Sequence, residues 1–205
     1  MILDYKMLTE KYKLATDTVL HVGAHEAEEW PLYESLGASK VVWVEANTDK
    51  YKFLCDKFAG DDRHTIINGV ASDKTGSYVE FKTSNNVQSS SILEFGQHRS
   101  LFPGVHFVSR EDRITICLDD IVAQMEKIDL VNIDIQGAEL LALKGIKNSI
   151  HKVSAFYLEI NSAPVYESCA IVDEIDDFLS SYGFMRAETK YWMDHPWGDA
   201  LYIRT

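Results

Sequence analysis

The sequence predicts an α/β fold: a doubly wound, mostly parallel sheet of seven strands that ends in an antiparallel hairpin. Two observations predict this fold. Short apolar runs of strand length alternate with stretches of helical spacing, which is the pattern of consecutive βαβ units. Near the end of the chain, a helical stretch is followed by two strand-like runs joined by an aromatic loop, which is typical of a hairpin.

The predicted parallel strands are apolar or β-branched runs that are short enough to be buried on both faces. They cover residues 18–22, 40–45, 64–68, 130–135 and 153–160. The closing hairpin is predicted at 184–188 and 199–204, directly after a helix at 171–182.

Helical spacing of apolar residues predicts three helices between these strands, at 26–36, 48–58 and 137–147. Residues 1–16 form a helical lead-in. A β-rich insertion around 73–118 interrupts the alternation, with strands at 78–82 and 113–118, and we expect it to cover the active face. Without a repeat or a linker, residues 1–205 are predicted to form a single domain.

The charge of the chain limits its partners. It has 20 basic and 32 acidic residues, and a net charge of -12. Because no run of Lys and Arg could follow a phosphate backbone, we expect no nucleic-acid partner. No apolar run approaches the roughly 18 residues of a membrane span, so no membrane insertion is expected. Three widely spaced cysteines, Cys55, Cys117 and Cys169, indicate free thiols in a reducing compartment, and we expect a cytoplasmic protein.

The turn after the first strand indicates an adenosine-type cofactor. Gly23 directly follows residues 18–22, and a glycine there allows the backbone to approach a ligand closely. Glu45 ends the next strand, where an acidic side chain can accept hydrogen bonds from both hydroxyls of a ribose. Either feature alone is weak evidence, but together they predict a ligand at the carboxyl ends of the first strands.

The composition of this turn favours a cationic ligand over a pyrophosphate. A dinucleotide site has the pattern G-x-G-x-x-G, whereas this turn has one glycine followed by acids. Glu26, Glu28 and Glu29 would repel a pyrophosphate and could attract the ammonium or sulfonium of S-adenosylmethionine (SAM). SAM is therefore the first choice of cofactor and NAD the second.

Four segments resemble the FkbM family of SAM-dependent methyltransferases. They read HVGAHEAEE (21–29), VWVEA (42–46), TICLDD (115–120) and NIDIQGAE (132–139). They occur in the family's order, and the resemblance runs from about residue 18 to 204. Asn132 replaces the family's usual Lys, and Gln136 its usual Glu, so each departure removes a charge near Asp134.

The resemblance implies a Rossmann-like class I methyltransferase fold and transfer of a methyl group to an oxygen, commonly on a sugar or another hydroxylated metabolite. It also implies a possible glycosyltransferase partner. SAM is the implied cofactor, and S-adenosylhomocysteine (SAH) the product. The implied cofactor-binding residues are His21, Gly23, Ala24, His25, Glu26, Glu45, Ala46, Ala71, Ser72 and Asp134.

Methylation of a hydroxyl requires a group that removes its proton. Asp134 and Glu159 end two neighbouring strands, so one of them could act as a base, or the pair could share a divalent metal. His195 is a third catalytic candidate, because histidine transfers protons near neutral pH. The acceptor-binding candidates are Ser90, Ser91, Gln136, Trp192 and His195.

The leading hypothesis is a SAM-dependent O-methyltransferase that acts on a hydroxyl of a sugar or glycan. An NAD-dependent oxidoreductase or epimerase is disfavoured by the missing glycines and by the lack of a nearby Tyr-x-x-x-Lys pair. A non-catalytic SAM- or glycan-binding module is a third possibility, which the two lost charges near Asp134 keep open.

Overall fold

The computed structural model describes residues 1–205. The helices are α1 (Tyr5–Tyr12), α2 (Trp30–Ser35), α3 (Thr48–Lys57), α4 (His98–Leu101), α5 (Leu118–Val122), α6 (Glu139–Lys144) and α7 (Val172–Ser180). The strands are β1 (Thr18–Val22), β2 (Lys40–Glu45), β3 (His64–Asn68), β4 (Val70–Ala71), β5 (Tyr78–Ser84), β6 (Phe107–Ile116), β7 (Ile128–Ile133), β8 (Val153–Asn161), β9 (Phe184–Tyr191) and β10 (Trp197–Arg204).

The main sheet has seven strands in the order β3-β2-β1-β7-β8-β10-β9. The first five are mutually parallel, and β10 runs antiparallel to both β8 and β9. The chain builds outward from β1 to β3 and then returns to place β7 on the other side of β1. The predicted fold class, including the final hairpin, is confirmed.

Helices cover both faces of the sheet, as the near-continuous apolar strands require. One face packs against α5, α6 and α7 in a cluster of 25 buried residues, and the other packs against α1, α2 and α3 in a cluster of 15. No helix is both long and apolar enough to cross a lipid bilayer.

The predicted insertion forms a second sheet in which β6 pairs with β4 and with β5. The strand predicted at 113–118 begins earlier, at Phe107, and Leu118 instead begins α5. After β5 the chain crosses the carboxyl ends of β1 and β7, where residues 86–92 line the cavities described below. We call residues 86–92 the covering segment.

Two helices begin later than predicted because the backbone before them turns. His25 and Ala27 have φ values of 45° and 54°, so the helix expected from residue 26 begins at Trp30. Gln136 and Gly137 have φ values of 56° and 98°, so the helix expected from residue 137 begins at Glu139. Both turns lie at the same edge of the sheet, and both bend the chain around the candidate site.

Asp119, in the TICLDD segment, has a structural role. Its carboxylate accepts hydrogen bonds from the backbone N–H groups of Asn148 and Ser149, at 3.2 and 2.8 Å, and from the Asn148 amide at 2.8 Å. These bonds tie the start of α5 to the turn before β8. The motif therefore supports the sheet away from its ligand-binding edge.

We predict that Asp119→Ala lowers the free energy of unfolding by about 2 kcal/mol, because it leaves backbone donors of Asn148 and Ser149 without partners. Urea denaturation would measure this loss. Glu126→Ala is the matched control, since Glu126 is exposed, and should change stability by less than about 0.5 kcal/mol. Equal stability of the two variants would contradict this role for Asp119.

Candidate active site

The candidate site lies where β1 and β7 separate. In open α/β sheets this switch in strand order creates a crevice at the carboxyl ends of the strands. The Asp134 N–H donates to Val22 C=O at 3.0 Å, which holds the carboxyl ends of β1 and β7 together. Gly23 has a φ of 88°, and a Cβ there would lie 1.8 Å from the Asp134 carbonyl oxygen. Only glycine fits this contact.

The first cavity, with a volume of about 630 Å³, extends from Gly23 toward β2. Glu45 lies at its edge and is only 7% exposed. The two carboxylate oxygens accept from the backbone N–H groups of His25 and Asn47, at 2.8 and 2.6 Å. Burial raises the pKa of Glu45, and these bonds oppose that effect. They also hold the carboxylate in one orientation beside the cavity.

Apolar residues from β2, from the chain around β4 and β5, and from the covering segment form the walls of the first cavity. They are Val44, Val70, Ala71, Phe81, Val87 and Ile92. An apolar pocket with one oriented carboxylate suits a ligand with a flat apolar ring and a diol.

The second cavity, of about 1440 Å³, extends from Gly23 toward β8 and β10. Aromatic side chains dominate one side. They are Phe102, Tyr166, Trp192 and Trp197. The rings of Trp192 and Trp197 stack with centroids 5.9 Å apart. Such rings can bind the apolar faces of a polyhydroxylated ligand while leaving its hydroxyls free for polar contacts.

The two cavities share a short boundary. It is formed by Gly23, His25, Gln88, Asp134 and Gln136. A ligand in either cavity can therefore reach the Asp134 side chain, which is exposed at this boundary.

Gln136 organises the polar groups at the boundary. Its amide Nε2 donates to both Asp134 Oδ1 and Glu159 Oε2, each at 2.8 Å. Its Oε1 accepts a hydrogen bond from the Tyr166 hydroxyl at 2.6 Å, which fixes the orientation of the amide. The Gln136 carbonyl accepts from Ser91 Oγ at 2.8 Å, so the covering segment is bonded to the same residue.

The two carboxyl groups that Gln136 joins differ in environment. Burial raises the pKa of Glu159 well above its usual range, and the nearby charge of Asp134 raises it further. Asp134 keeps an exposed surface toward the cavities. Burial raises the pKa of Asp134 as well, but less than that of Glu159, so a proton held by this pair lies on Glu159 and Asp134 is the carboxylate available to a ligand.

Carboxylate oxygens of Asp134, Glu139 and Glu159 lie within 4.8 Å of one another, close enough to share a cation. The hydrogen bonds argue against that use. Glu139 Oε1 accepts from the backbone N–H groups of Ile135 and Gly137, at 3.0 and 3.1 Å. The Gln136 amide donates N–H hydrogen bonds to the other two carboxyls, those of Asp134 and Glu159. An N–H donor cannot serve as a ligand of a cation. The metal suggested for Asp134 and Glu159 does not fit this donor set.

The structure brings most of the predicted site residues to the two cavities. The first cavity contains Gly23, His25, Glu45, Ala46, Ala71, Ser90, Ser91, Asp134 and Gln136. The second contains His21, Gly23, Ala24, His25, Asp134, Gln136, Glu159 and Trp192. His21 and Ala24, which were predicted to bind the cofactor, line only the second cavity, and Ser90 and Ser91, which were predicted to bind the acceptor, line only the first.

Three predicted site residues line neither cavity. The Glu26 carboxylate pairs with Lys50, away from the crevice. Ser72 is buried, and its hydroxyl donates to Asp73. His195 lines neither cavity, and its ring stacks on Phe102 with 5.4 Å between the ring centroids. Its role in proton transfer stays a prediction.

The acids of the first turn are largely paired. Glu28 binds His25 Nδ1 at 2.6 Å, and Glu29 lies 3.5 Å from the Met1 ammonium. These pairs weaken the general attraction for a cation that the sequence suggested. Glu28 and Glu29 still line the second cavity.

Several residues at the site were not identified from the sequence. They include His98, Tyr157, Tyr166 and Asp199. Asp199 carried a usable signal, since an acid in a buried strand pattern is uncommon unless it has a partner. Tyr166 and His98 carried none, because they reach the cavity from loops and from a four-residue helix.

The fold is similar to that of the class I SAM-dependent methyltransferases. TrmK from M. capricolum, solved with S-adenosyl-homocysteine, has a TM-score of 0.54 at 13% identity, over 100% of this chain and 70% of TrmK. A SAM-dependent methyltransferase from Aquifex aeolicus also gives 0.54, at 10% identity, over 100% of this chain and 91% of that one. At these identities the likeness establishes the fold alone.

The methyltransferase FkbM domain matches residues 21–185, and the chain belongs to this family. The resemblance seen in the four segments is thereby confirmed, and methyl transfer is favoured over the NAD-dependent alternative. A curated relative, the 2-O-methyltransferase NoeI of Sinorhizobium fredii, is 30% identical over 130 residues. The match covers 59% of this chain and about half, 53%, of NoeI.

We predict that Glu139→Gln removes part of the pH dependence of stability. Burial raises the pKa of Glu139 to about 7, above the value of about 4.5 in an unfolded chain. Below pH 4.5 Glu139 is protonated in both the folded and the unfolded chain, so its burial has no ionisation cost. As the pH rises through 7, the free energy of unfolding falls, because the unfolded chain gives up this proton more readily than the folded one. Glutamine keeps an oxygen acceptor for Ile135 and Gly137.

Urea denaturation at pH 5 and pH 8 tests this prediction. The variant should be more stable than the wild type at pH 8, by up to about 3 kcal/mol, and nearly equal to it at pH 5. If the stability of the variant relative to the wild type were the same at pH 5 and at pH 8, ionisation of Glu139 in the folded protein would carry no cost in free energy.

Proposed function

We propose that the chain is a SAM-dependent O-methyltransferase that transfers a methyl group to a hydroxyl of a sugar or glycan. The observation that carries the proposal is the position of Asp134. Its carboxylate lies where a pocket suited to an adenosine meets a larger cavity with aromatic walls. A base at that junction can contact an acceptor hydroxyl next to a bound methyl donor.

The first cavity fits the donor. The Glu45 carboxylate is held by two backbone N–H groups, and each of its oxygens keeps a lone pair for a ribose hydroxyl. The apolar walls around Val70 and Phe81 suit an adenine ring. Gly23 gives the backbone access that the donor's other end requires. When bound, SAM supplies an electrophilic methyl group on a sulfonium.

The residues of the second cavity position the acceptor and receive its proton. As the oxygen–carbon bond forms, the acceptor loses its hydroxyl proton to Asp134, and the carbon–sulfur electron pair stays with the sulfur of SAH. Gln136 orients the Asp134 carboxylate and bonds to Glu159 as well, and burial raises the pKa of Glu159, which favours its neutral form beside Asp134. Trp192 and Trp197 offer apolar surfaces to a sugar ring.

The relative NoeI supports oxygen as the accepting atom, because its name describes a 2-O-methyltransferase. For location, we propose the cytoplasm, which is consistent with three cysteines that form no disulfide. A glycosyltransferase that acts before this chain on the same acceptor is a further part of the proposal.

We predict that SAH binds the chain and NAD does not, in isothermal titration calorimetry. Glu45→Gln should weaken SAH binding about tenfold or more, because charge-assisted bonds to the ribose are lost. Glu126→Gln is the control and should leave the affinity unchanged. Binding of NAD without any binding of SAH would reject the donor assignment.

We predict that Asp134→Asn lowers kcat at least about 100-fold, the usual contribution of a general base, and changes SAH affinity little. A labelled-methyl assay over mono- and disaccharides, with and without EDTA, would first identify the acceptor and then measure the loss. Full turnover by the variant would show that another group takes the proton. Strong SAH binding with no transfer to any hydroxyl would favour the non-catalytic module.

A further inference from the structure

Three carboxyl groups form a row across the floor of the second cavity. Asp199 on β10 is the direct antiparallel partner of Glu159 on β8. Asp134 follows β7, the neighbour of β8 on the other side, and Gln136 links it to Glu159. All three line the cavity. The row therefore runs from the junction with the first cavity to the far wall.

No lysine or arginine accompanies the row, because none of the residues that line either cavity is Lys or Arg. The Met1 ammonium lines the second cavity, lies 3.5 Å from Glu29 and acts to lower the pKa of Asp134 against the effect of burial. It is outnumbered by the acidic groups of the same lining, which include Glu28, Glu29, Asp134 and Asp199. Asp199 accepts only from neutral donors, the Tyr157 hydroxyl and the backbone N–H of Ile2.

A second observation indicates that the cavity takes a polar ligand. His98 lines the cavity and is 4% exposed, yet its Nδ1 has no hydrogen-bond partner. The Trp197 Nε1 in the same wall also has none. Buried polar atoms without partners are rare in folded proteins. Burial lowers the pKa of His98, so the ring is neutral and keeps one acceptor nitrogen.

We propose that the acceptor is a hydroxylated amine, such as an amino sugar, whose ammonium binds Asp199 while its hydroxyl faces Asp134. This inference rests on the proposed function and adds the charge of the substrate to it. An ammonium at Asp199 provides the missing counter-charge, and the aromatic walls remain available to the ring.

The spacing of the strands suits a molecule of this size. Neighbouring strands lie about 4.8 Å apart, so the backbones that carry Asp134 and Asp199, two strands apart, are about 10 Å apart. Both carboxyl side chains extend into the same cavity, and one sugar ring with a hydroxyl and an ammonium substituent is of a size to contact both.

The same charges exclude anionic acceptors. A phosphate, sulfate or carboxylate in the cavity would face Asp134 and Asp199 without any lysine or arginine to neutralise it. Like charges at short distance in a partly desolvated site repel strongly. Phosphorylated and acidic sugars are therefore the poorest acceptors under this proposal.

A labelled-methyl assay with matched sugars tests the charge preference. The probes are D-glucosamine, N-acetyl-D-glucosamine, D-glucose and D-glucose 6-phosphate at pH 7, with calorimetric binding to the SAH-loaded chain as a second readout. The amine should exceed its acetylated and neutral counterparts about tenfold or more in kcat/KM or in affinity, because an ammonium–carboxylate bond is replaced by a neutral contact. The phosphate should give no measurable binding.

Asp199→Asn should remove most of the preference for the amine. Asp194→Asn is the matched control, since it makes the same change of charge on an exposed residue outside both cavities. Equal or better use of the acetylated, neutral or phosphorylated sugar would overturn the charge assignment while leaving the proposed methyl transfer intact. Failure of D-glucosamine to bind or react would overturn it as well. Loss of SAH binding would instead reject the proposed function itself.

Discussion

The contact between Gly23 and Asp134 is the constraint on which the site depends. The backbones of β1 and β7 meet there so closely that a single Cβ would collide with the Asp134 carbonyl. This contact brings the turn that borders the first cavity beside the carboxylate that borders the second. Ligands in the two cavities can therefore meet at the Asp134 side chain.

Much of the fold could be predicted from sequence because its central strands are buried on both faces. β1 and β2 were predicted with their observed bounds, since apolar runs of that length have few alternatives. The edge strand β3 was also predicted with its observed bounds, although none of its residues is fully buried. The helices were less well placed. Their starts at Trp30 and Glu139 depend on positive φ angles in the preceding turns, and residues such as His25 and Ala27 give no local sign of such angles.

The donor side of the site was easier to predict than the acceptor side. Gly23 and Glu45 follow from strand order and residue type, so sequence spacing alone brings them together. The second cavity is assembled from distant segments, including α4, the loop before β10 and the end of β8. His195 shows the difficulty, because its neighbours in sequence are site residues but its ring stacks outside the wall.

The covering segment also has a thermodynamic consequence. Residues 86–92 contribute to both cavities, and Ser91 is bonded to the Gln136 backbone. A ligand that shifts this segment in one cavity therefore changes the wall of the other cavity. Any resulting change in the affinity of the second ligand is reciprocal, because linkage gives both ligands the same factor.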